Sequence, residues 1–471
     1  MIRLGFSFCG NIDENNIASD TSISKTTQRS LPQQQKGNRM NAARTHISPY
    51  GWVMIFMLLG LGAINFADKA VLGLAAMPII RELHLSPTQY GLVSGSFFLL
   101  FALSSVVVTA WSDRIGTQRV LALLATSWAI VQVATVFVFS FLALLLTRVL
   151  LGAGEGPSYG TSVSAATPWL PADRRAFGLG LVTFGSVVGP ALFAPPLTFL
   201  IVVVGWRSAF ALLGGIGLLW VLMWLLIGRE HPAARHMPVT ETQEEHSRTR
   251  WSEIRPILFS RTVLFSTLAA FVSYWAVALY LSWNPVYLVS VRHLRLSDPL
   301  YLAGVTLPYV VGGIALIASG AFADRVFRRT GSHRRSYVFP VTALLIMSAL
   351  CLYLAVSVPS APGSVLFFTL AFIGVAVPIL STIITAVTPV AHRGAVLGTV
   401  VAVSTLSGFI SPLVTGLITQ AAGKNVASGL YHSYQLASLL LLIGGVTFLA
   451  FARPDEQLAE KFSGATAQIY S

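Results

Sequence analysis

"TAWSDRIGTQR" (Thr109–Arg119) and "GAFADRVFRR" (Gly320–Arg329) decide the fold of this chain. Each sets Asp-Arg just past an apolar run long enough to cross a bilayer, and 211 residues separate Asp113 from Asp324. One short signature at one place in each half of a chain argues for a duplicated architecture. Paired halves with a shared site near the bilayer midplane are an established plan for polytopic membrane proteins.

A spanning helix needs about 20 mostly apolar residues. Working outward from the two signatures gives twelve such segments: 50–78, 89–111, 120–139, 142–168, 177–202, 206–228, 262–290, 300–322, 336–357, 363–387, 394–420 and 431–452. The sequence thus predicts an all-α membrane protein of twelve transmembrane helices in two six-helix, pseudo-symmetric halves, 49–228 and 262–452. A polar linker, 229–261, joins them. Residues 1–48, rich in Ser, Thr, Asn and Gln, read as a disordered tail, with Met40 a second candidate start; 453–471 form the other tail.

Composition agrees. The chain is 54% hydrophobic and 10% charged, with a mean hydropathy of +0.71, whereas soluble domains carry about 25% charged residues. A net charge of +13 suggests nucleic acid until the basic residues are located. With both termini and the linker cytoplasmic, 24 of the 31 Lys and Arg fall inside and five outside, the bias that orients spanning helices. The basic character is topology, and no nucleic-acid partner is needed. Two cysteines, Cys9 and Cys351, are too few for a disulfide framework or zinc site.

The remaining two cations, Lys69 and Arg148, lie inside the spans, as do only two of the 18 acidic residues, Asp68 and Glu155. A charge at the bilayer centre costs about 3 kcal/mol even on lenient scales, so such residues are functional by default. The bland alternative is an ion-pair network that only fixes packing. Adjacent residues point about 100° apart on a helix, so Asp68 and Lys69 do not face each other. Arg148, Gly152 and Glu155 share one face at i, i+4, i+7. At about 1.5 Å per residue, Asp68 and Arg148 fall at similar depth and Glu155 roughly 10 Å deeper. We expect Asp68 to pair with Arg148 in some states and Lys69 to turn to the cavity for an anion. Glu155 becomes a second protonation site beside Asp68.

Uncharged candidates lie in the second half. Tyr280, Trp283, Asn284 and Tyr287 form one face of the seventh span, where Tyr280 and Asn284 offer hydrogen bonds and Trp283 and Tyr287 either line the cavity or belt the interface. Ser381, Thr382 and Thr385 offer hydroxyls in the tenth span, with Ser186 and Thr405 weaker. "GAGEGPSYG" (Gly152–Gly160) looks like a phosphate loop but follows no strand, and its small residues suit close helix packing. No nucleophile–base pair, metal cluster or cofactor motif is visible, so neither an enzyme nor a cofactor is expected.

The Asp-Arg loops resemble the signature loops of the major facilitator superfamily, with Thr109 standing where a glycine is usual. "INFADKAVLG" (Ile64–Gly73), "LSPTQYGLVSGSFFLLFAL" (Leu85–Leu103), "TRVLLGAGEGP" (Thr147–Pro157), "GWRSAF" (Gly205–Phe210) and "LSWNPVYL" (Leu281–Leu288) narrow the likeness to its anion:cation symporter branch. The resemblance implies that Asp113, Arg114, Asp324 and Arg325 act as conformational latches at the cytoplasmic end. Family members commonly have Arg where Lys69 stands, and sugar-acid importers tend to have tyrosines where Phe66 and Phe101 align. The loss of both hydroxyls favours a small aromatic or aliphatic monocarboxylate over a sugar acid.

The expectation is therefore a monomeric, multi-pass protein of a bacterial inner membrane that imports an organic anion together with protons. Rival readings are a sugar-acid/proton symporter, a proton-coupled exporter or drug antiporter, and an anion sensor that moves nothing. The partial match "GSVVGP" (Gly185–Pro190) to an antiporter pattern supports the exporter.

Overall fold

The computed structural model describes residues 46–171, 174–231, 251–374 and 377–459. The expectations for the N-terminal tail and for the side chains of Asp113 and Arg114 lie outside the described residues. The first half comprises α1 (Pro49–Leu74), α2 (Ala76–Glu82), α3 (Pro87–Ile115), α4 (Thr117–Thr135), α5 (Phe141–Glu155), α6 (Ser158–Ala166), α7 (Arg175–Val203) and α8 (Trp206–Ile227). A short linker helix, α9 (Trp251–Leu258), leads to α10 (Arg261–Ser290), α11 (Pro299–Thr330), α12 (Phe339–Ser357), α13 (Ala361–Ala371), α14 (Val377–Val387), α15 (Arg393–Ala421) and α16 (Val426–Phe451). No strand occurs among the described residues, and nine of their helices, counted with short flanking turns, are long and apolar enough to cross a membrane.

Local chemistry fixes where helices begin. Ser48 caps α1 by accepting from Gly51 N–H, with Pro49 in the first turn where its missing donor costs nothing. Ser140, Ser360 and Asn425 cap α5, α13 and α16 in the same way. The fourth predicted span departs from expectation: it breaks at Gly156-Pro157 into α5 and α6. Pro157 has no N–H for the helical ladder. In the tenth span the described residues include a 3₁₀ turn over Phe372–Gly374.

The duplication read from the Asp-Arg signatures is written into the packing. In the first half α1 packs on α7, α3 on α5 and α4 on α8; in the second, α10 packs on α15, α11 on α13 and α12 on α16. Between the halves α3 meets α15 and α11 meets α7, one contact being the symmetry equivalent of the other. The residues with positive φ obey the same rule: His84 pairs with His293, Gly116 with Gly331 and Gly205 with Gly423, each pair in equivalent loops. Histidine tolerates this left-handed region better than most side chains.

We call the end holding His84, Gly205, His293 and Gly423 distal, and the end where α1 begins proximal. Distally the halves touch backbone to backbone. A Cβ on Gly91 or Gly95 of α3 would strike the carbonyls of Pro412 or Phe409 of α15, and one on Gly73 would strike that of Leu281. Proximally, Gly180, Gly320, Gly394 and Gly398 have no such neighbour. The structure is sealed at its distal end. Gly95→Leu should hold that seal open. Overpacking costs about 1–3 kcal/mol, so a cysteine at Ser94, in a background lacking native cysteines, should react with impermeant maleimide from the distal side about tenfold faster than without the leucine.

Two arginines fasten this end. Arg207 donates to the carbonyls of Val136 (2.9 Å) and Val138 (2.8 Å) beyond α4. It also meets Glu82 at 2.5 Å. Arg292 donates to Val358 (2.5 Å) and Pro359 (3.0 Å) beyond α12. Cations on C-terminal carbonyls suit the helix dipole, and α4 and α12 are equivalent helices. A hydrogen bond from Trp206 to Glu82 (2.6 Å), then one from Arg207, holds the Glu82 carboxyl below its usual value. That gives "GWRSAF" a structural task.

Candidate functional site

Four helix faces, from α1, α3, α4 and α5, bring the embedded charges together. Lys69 Nζ lies 2.6 Å from Glu155 Oε2, and it also donates to Asn65 Oδ1 (2.5 Å) and the Asn65 carbonyl (3.2 Å). Asn65 in turn donates to Glu155 Oε2 at 2.9 Å. The ammonium sits 4.6, 5.0 and 5.4 Å from the ring centroids of Phe66, Phe97 and Phe101. Ring faces attract a cation, so these three phenylalanines hold Lys69 in place without offering it a counter-ion. Glu155 is fully buried at the last residue of α5, and its Oε1 has no partner.

The second pair is bridged. Gln132 of α4 donates to Asp68 Oδ1 at 2.6 Å, while its carbonyl accepts from Arg148 at 3.1 Å. Arg148 also donates to Thr135 (3.0 Å) and lies over the Phe210 ring. In this state Asp68 and Arg148 communicate through an amide; a direct pair was expected in some states only. Lys69 pairs with Glu155 while its side chain also lines the cavity. Asp68 Oδ2 and Arg148 Nε are buried without partners, so each retains bonding capacity. Two positive and two negative groups leave the cluster formally neutral.

Asp68, Lys69, Phe97 and Arg148 line a cavity that Leu281 and Pro412 border from the second half. Phe66 and Phe101, expected in the cavity, pack against its lysine but are not among the residues that line it. Tyr280 and Asn284 line a smaller adjoining cavity and both donate to the Gly304 carbonyl. Trp283 and Tyr287 are buried, Trp283 donating to the Pro412 carbonyl at 3.1 Å, which removes them from any interfacial belt. Ser381 is half-buried and Thr382 exposed on α14; neither lines the two cavities. Ser186 and Thr405 bond carbonyls of their own helices. Asp324 and Arg325 are exposed at the proximal end of α11.

Glycines in the two suggestive motifs serve packing. A Cβ on Gly152 or Gly156 would strike the carbonyls of Phe97 or Phe101, and one on Gly185 or Gly189 those of Leu59 or Ala63. Sequence reasoning missed Gln132, Asn65 and Phe97. The available signal for the first two was an amide inside an apolar span, where an unbonded amide is costly. Gln132→Leu should leave Asp68 and Arg148 facing each other without their bridge. Stripping a partner from a buried charge costs about 3–5 kcal/mol, so the variant should show a clearly lowered Tm, with Gln132→Glu not restoring it.

The family model for the Major Facilitator Superfamily matches residues 57–373, which reach into both halves. The chain belongs to the Major Facilitator Superfamily. It is a multi-pass membrane transporter, not an enzyme. Among superfamily relatives, the hexuronate transporter of Bacillus subtilis (strain 168) is 29% identical over 85% of this chain and 94% of its own length. A probable sulfoacetate transporter, SauU, of Cupriavidus necator is 31% identical over 58% of this chain and 64% of its own. In fold, the chain is similar to a bacterial homologue of the human lysosomal transporter Spinster in an inward-facing, occupied conformation. The TM-score is 0.71 at 21% identity, covering 86% of this chain and 97% of that one.

Proposed function

We propose that this transporter imports a small aromatic or aliphatic monocarboxylate with protons, by alternating access across a bacterial inner membrane. Twelve crossings with both termini cytoplasmic, supported by the placement of basic residues, make the distal end external and the described state closed to the outside. The protein works as a monomer. Both relatives are named for organic anions, which supports the charge of the cargo.

The observation that carries this reading is the 2.6 Å pair between Glu155 and Lys69, whose side chain lines the cavity. A substrate carboxylate and Glu155 compete for one ammonium. When the substrate takes Lys69, Glu155 is left buried without a counter-ion, an arrangement that costs several kcal/mol and is relieved by a proton. Because the cluster is formally neutral, one monovalent anion calls for one proton, and the loaded carrier crosses without net charge. Asp68, with its unused Oδ2, is the second proton site, tied to Arg148 through Gln132. Asp113, Arg114, Asp324 and Arg325 serve as the proximal latch, and the exposure of the last two suits a latch that is released.

A sugar-acid symporter is the second reading, favoured by the hexuronate relative. The phenylalanine surround of Lys69 weighs against it, since polyols need hydroxyl partners there. The test is uptake into proteoliposomes under an inward proton gradient, comparing aromatic, short aliphatic and sugar acids. Accumulation with acidification of the lumen and little current is expected for an aromatic or aliphatic acid. Accumulation of sugar acids alone would reverse the two readings, and movement outward would restore the exporter.

A further inference from the structure

Asn284 is fully buried on α10 and lines the smaller cavity between the halves. Its Nδ2 donates to the Gly304 carbonyl at 3.3 Å, and the Tyr280 hydroxyl donates to the same oxygen. A carbonyl only accepts, so the amide must present its NH₂ there. The other end, Oδ1, is thereby fixed as an acceptor, and it is buried with no partner. Ala70, Leu74, Ala194 and Val305 form an apolar part of the lining, and Tyr280 and Tyr309 also contribute to it. Leu281 borders this cavity and the one holding Lys69 and Arg148, so the two adjoin.

We infer that Asn284 Oδ1 accepts a hydrogen bond from a hydroxyl or N–H group carried by the substrate at the end remote from its carboxylate. This rests on the assignment of Lys69 to the carboxylate. It narrows the cargo to acids bearing one distant donor, such as hydroxylated aromatic or chain-end hydroxylated aliphatic acids. The two poles lie on different halves of the transporter, α1 and α10. A molecule spanning them reports to both that the site is full, which an acid lacking the donor does not.

Binding to the purified full-length protein in nanodiscs tests this with benzoate, 4-hydroxybenzoate and 4-methoxybenzoate, and with hexanoate and 6-hydroxyhexanoate. The hydroxylated member of each set should bind about tenfold or more tightly. The methyl ether, which keeps the oxygen but loses the donor, should bind no better than benzoate. Asn284→Leu should level each set by weakening the hydroxylated acid alone. Equal binding within the sets, or a preference that survives Asn284→Leu, overturns the inference. If that variant does not fold, the wild-type series still decides, because a methyl ether binding as well as the phenol contradicts a donor-seeking acceptor. The underlying assignment fails separately: binding of every acid would then be indifferent to Lys69→Ala, or absent throughout.

Discussion

Lys69→Ala should lower affinity for the transported acid by at least about a hundredfold and abolish its uptake, while Lys69→Arg should retain binding within about tenfold. The first figure follows from removing one partner of a buried charge pair, which costs about 3–5 kcal/mol, with each 1.4 kcal/mol worth tenfold. The alanine loses the group that holds the substrate and leaves Glu155 with only the Asn65 amide at 2.9 Å. Arginine keeps the charge and adds a fork that suits carboxylates, though it must fit among Phe66, Phe97 and Phe101. Equilibrium binding measured beside uptake checks both parts. If alanine binds the acid as well as lysine does, Lys69 is only a structural counter-ion for Glu155.

Glu155→Gln should separate transport from its driving force. Glutamine keeps the shape and can still bond Asn65 and Lys69, but it neither competes with the substrate as a charge nor carries a proton. Accumulation driven by an acid-outside gradient should fall to the level of passive equilibration, while exchange of labelled for unlabelled acid continues. Lys69 freed from its pair should also bind the acid at least as tightly as in the wild type at neutral pH. Counterflow and gradient-driven uptake in the same vesicles give the comparison. Gradient-driven accumulation that persists in this variant would move coupling to Asp68 alone.

Much of this was legible in the residues. The two Asp-Arg signatures announced paired halves, and the packing of α3 on α15 and α7 on α11 repeats that pairing. The four embedded charges identified the site because the bilayer makes each of them expensive. What the sequence could not supply was helix rotation and side-chain reach. Side chains lean toward the N-terminus of their helix, so Lys69 bends back one turn to Asn65 and meets Glu155, which depth counting had set well below Asp68. Gln132 was hidden because an amide in an apolar run carries no charge to mark it, yet it joins Asp68 to Arg148. The break after Glu155 was also missed: a glycine-proline step inside an apolar run reads as a tolerated kink until the backbone shows two helices. Asn284 was chosen for its polarity, but its role as an acceptor came only with the Gly304 carbonyl.

The most direct test of the shared lysine is to count protons as the acid binds. Purified protein in weak buffer near neutral pH would be titrated with a monocarboxylate that it transports, and the pH followed. Competition for Lys69 predicts uptake of about one proton per acid bound, lost in Glu155→Gln. Binding of the same acid with no proton taken up by the wild-type protein would contradict it.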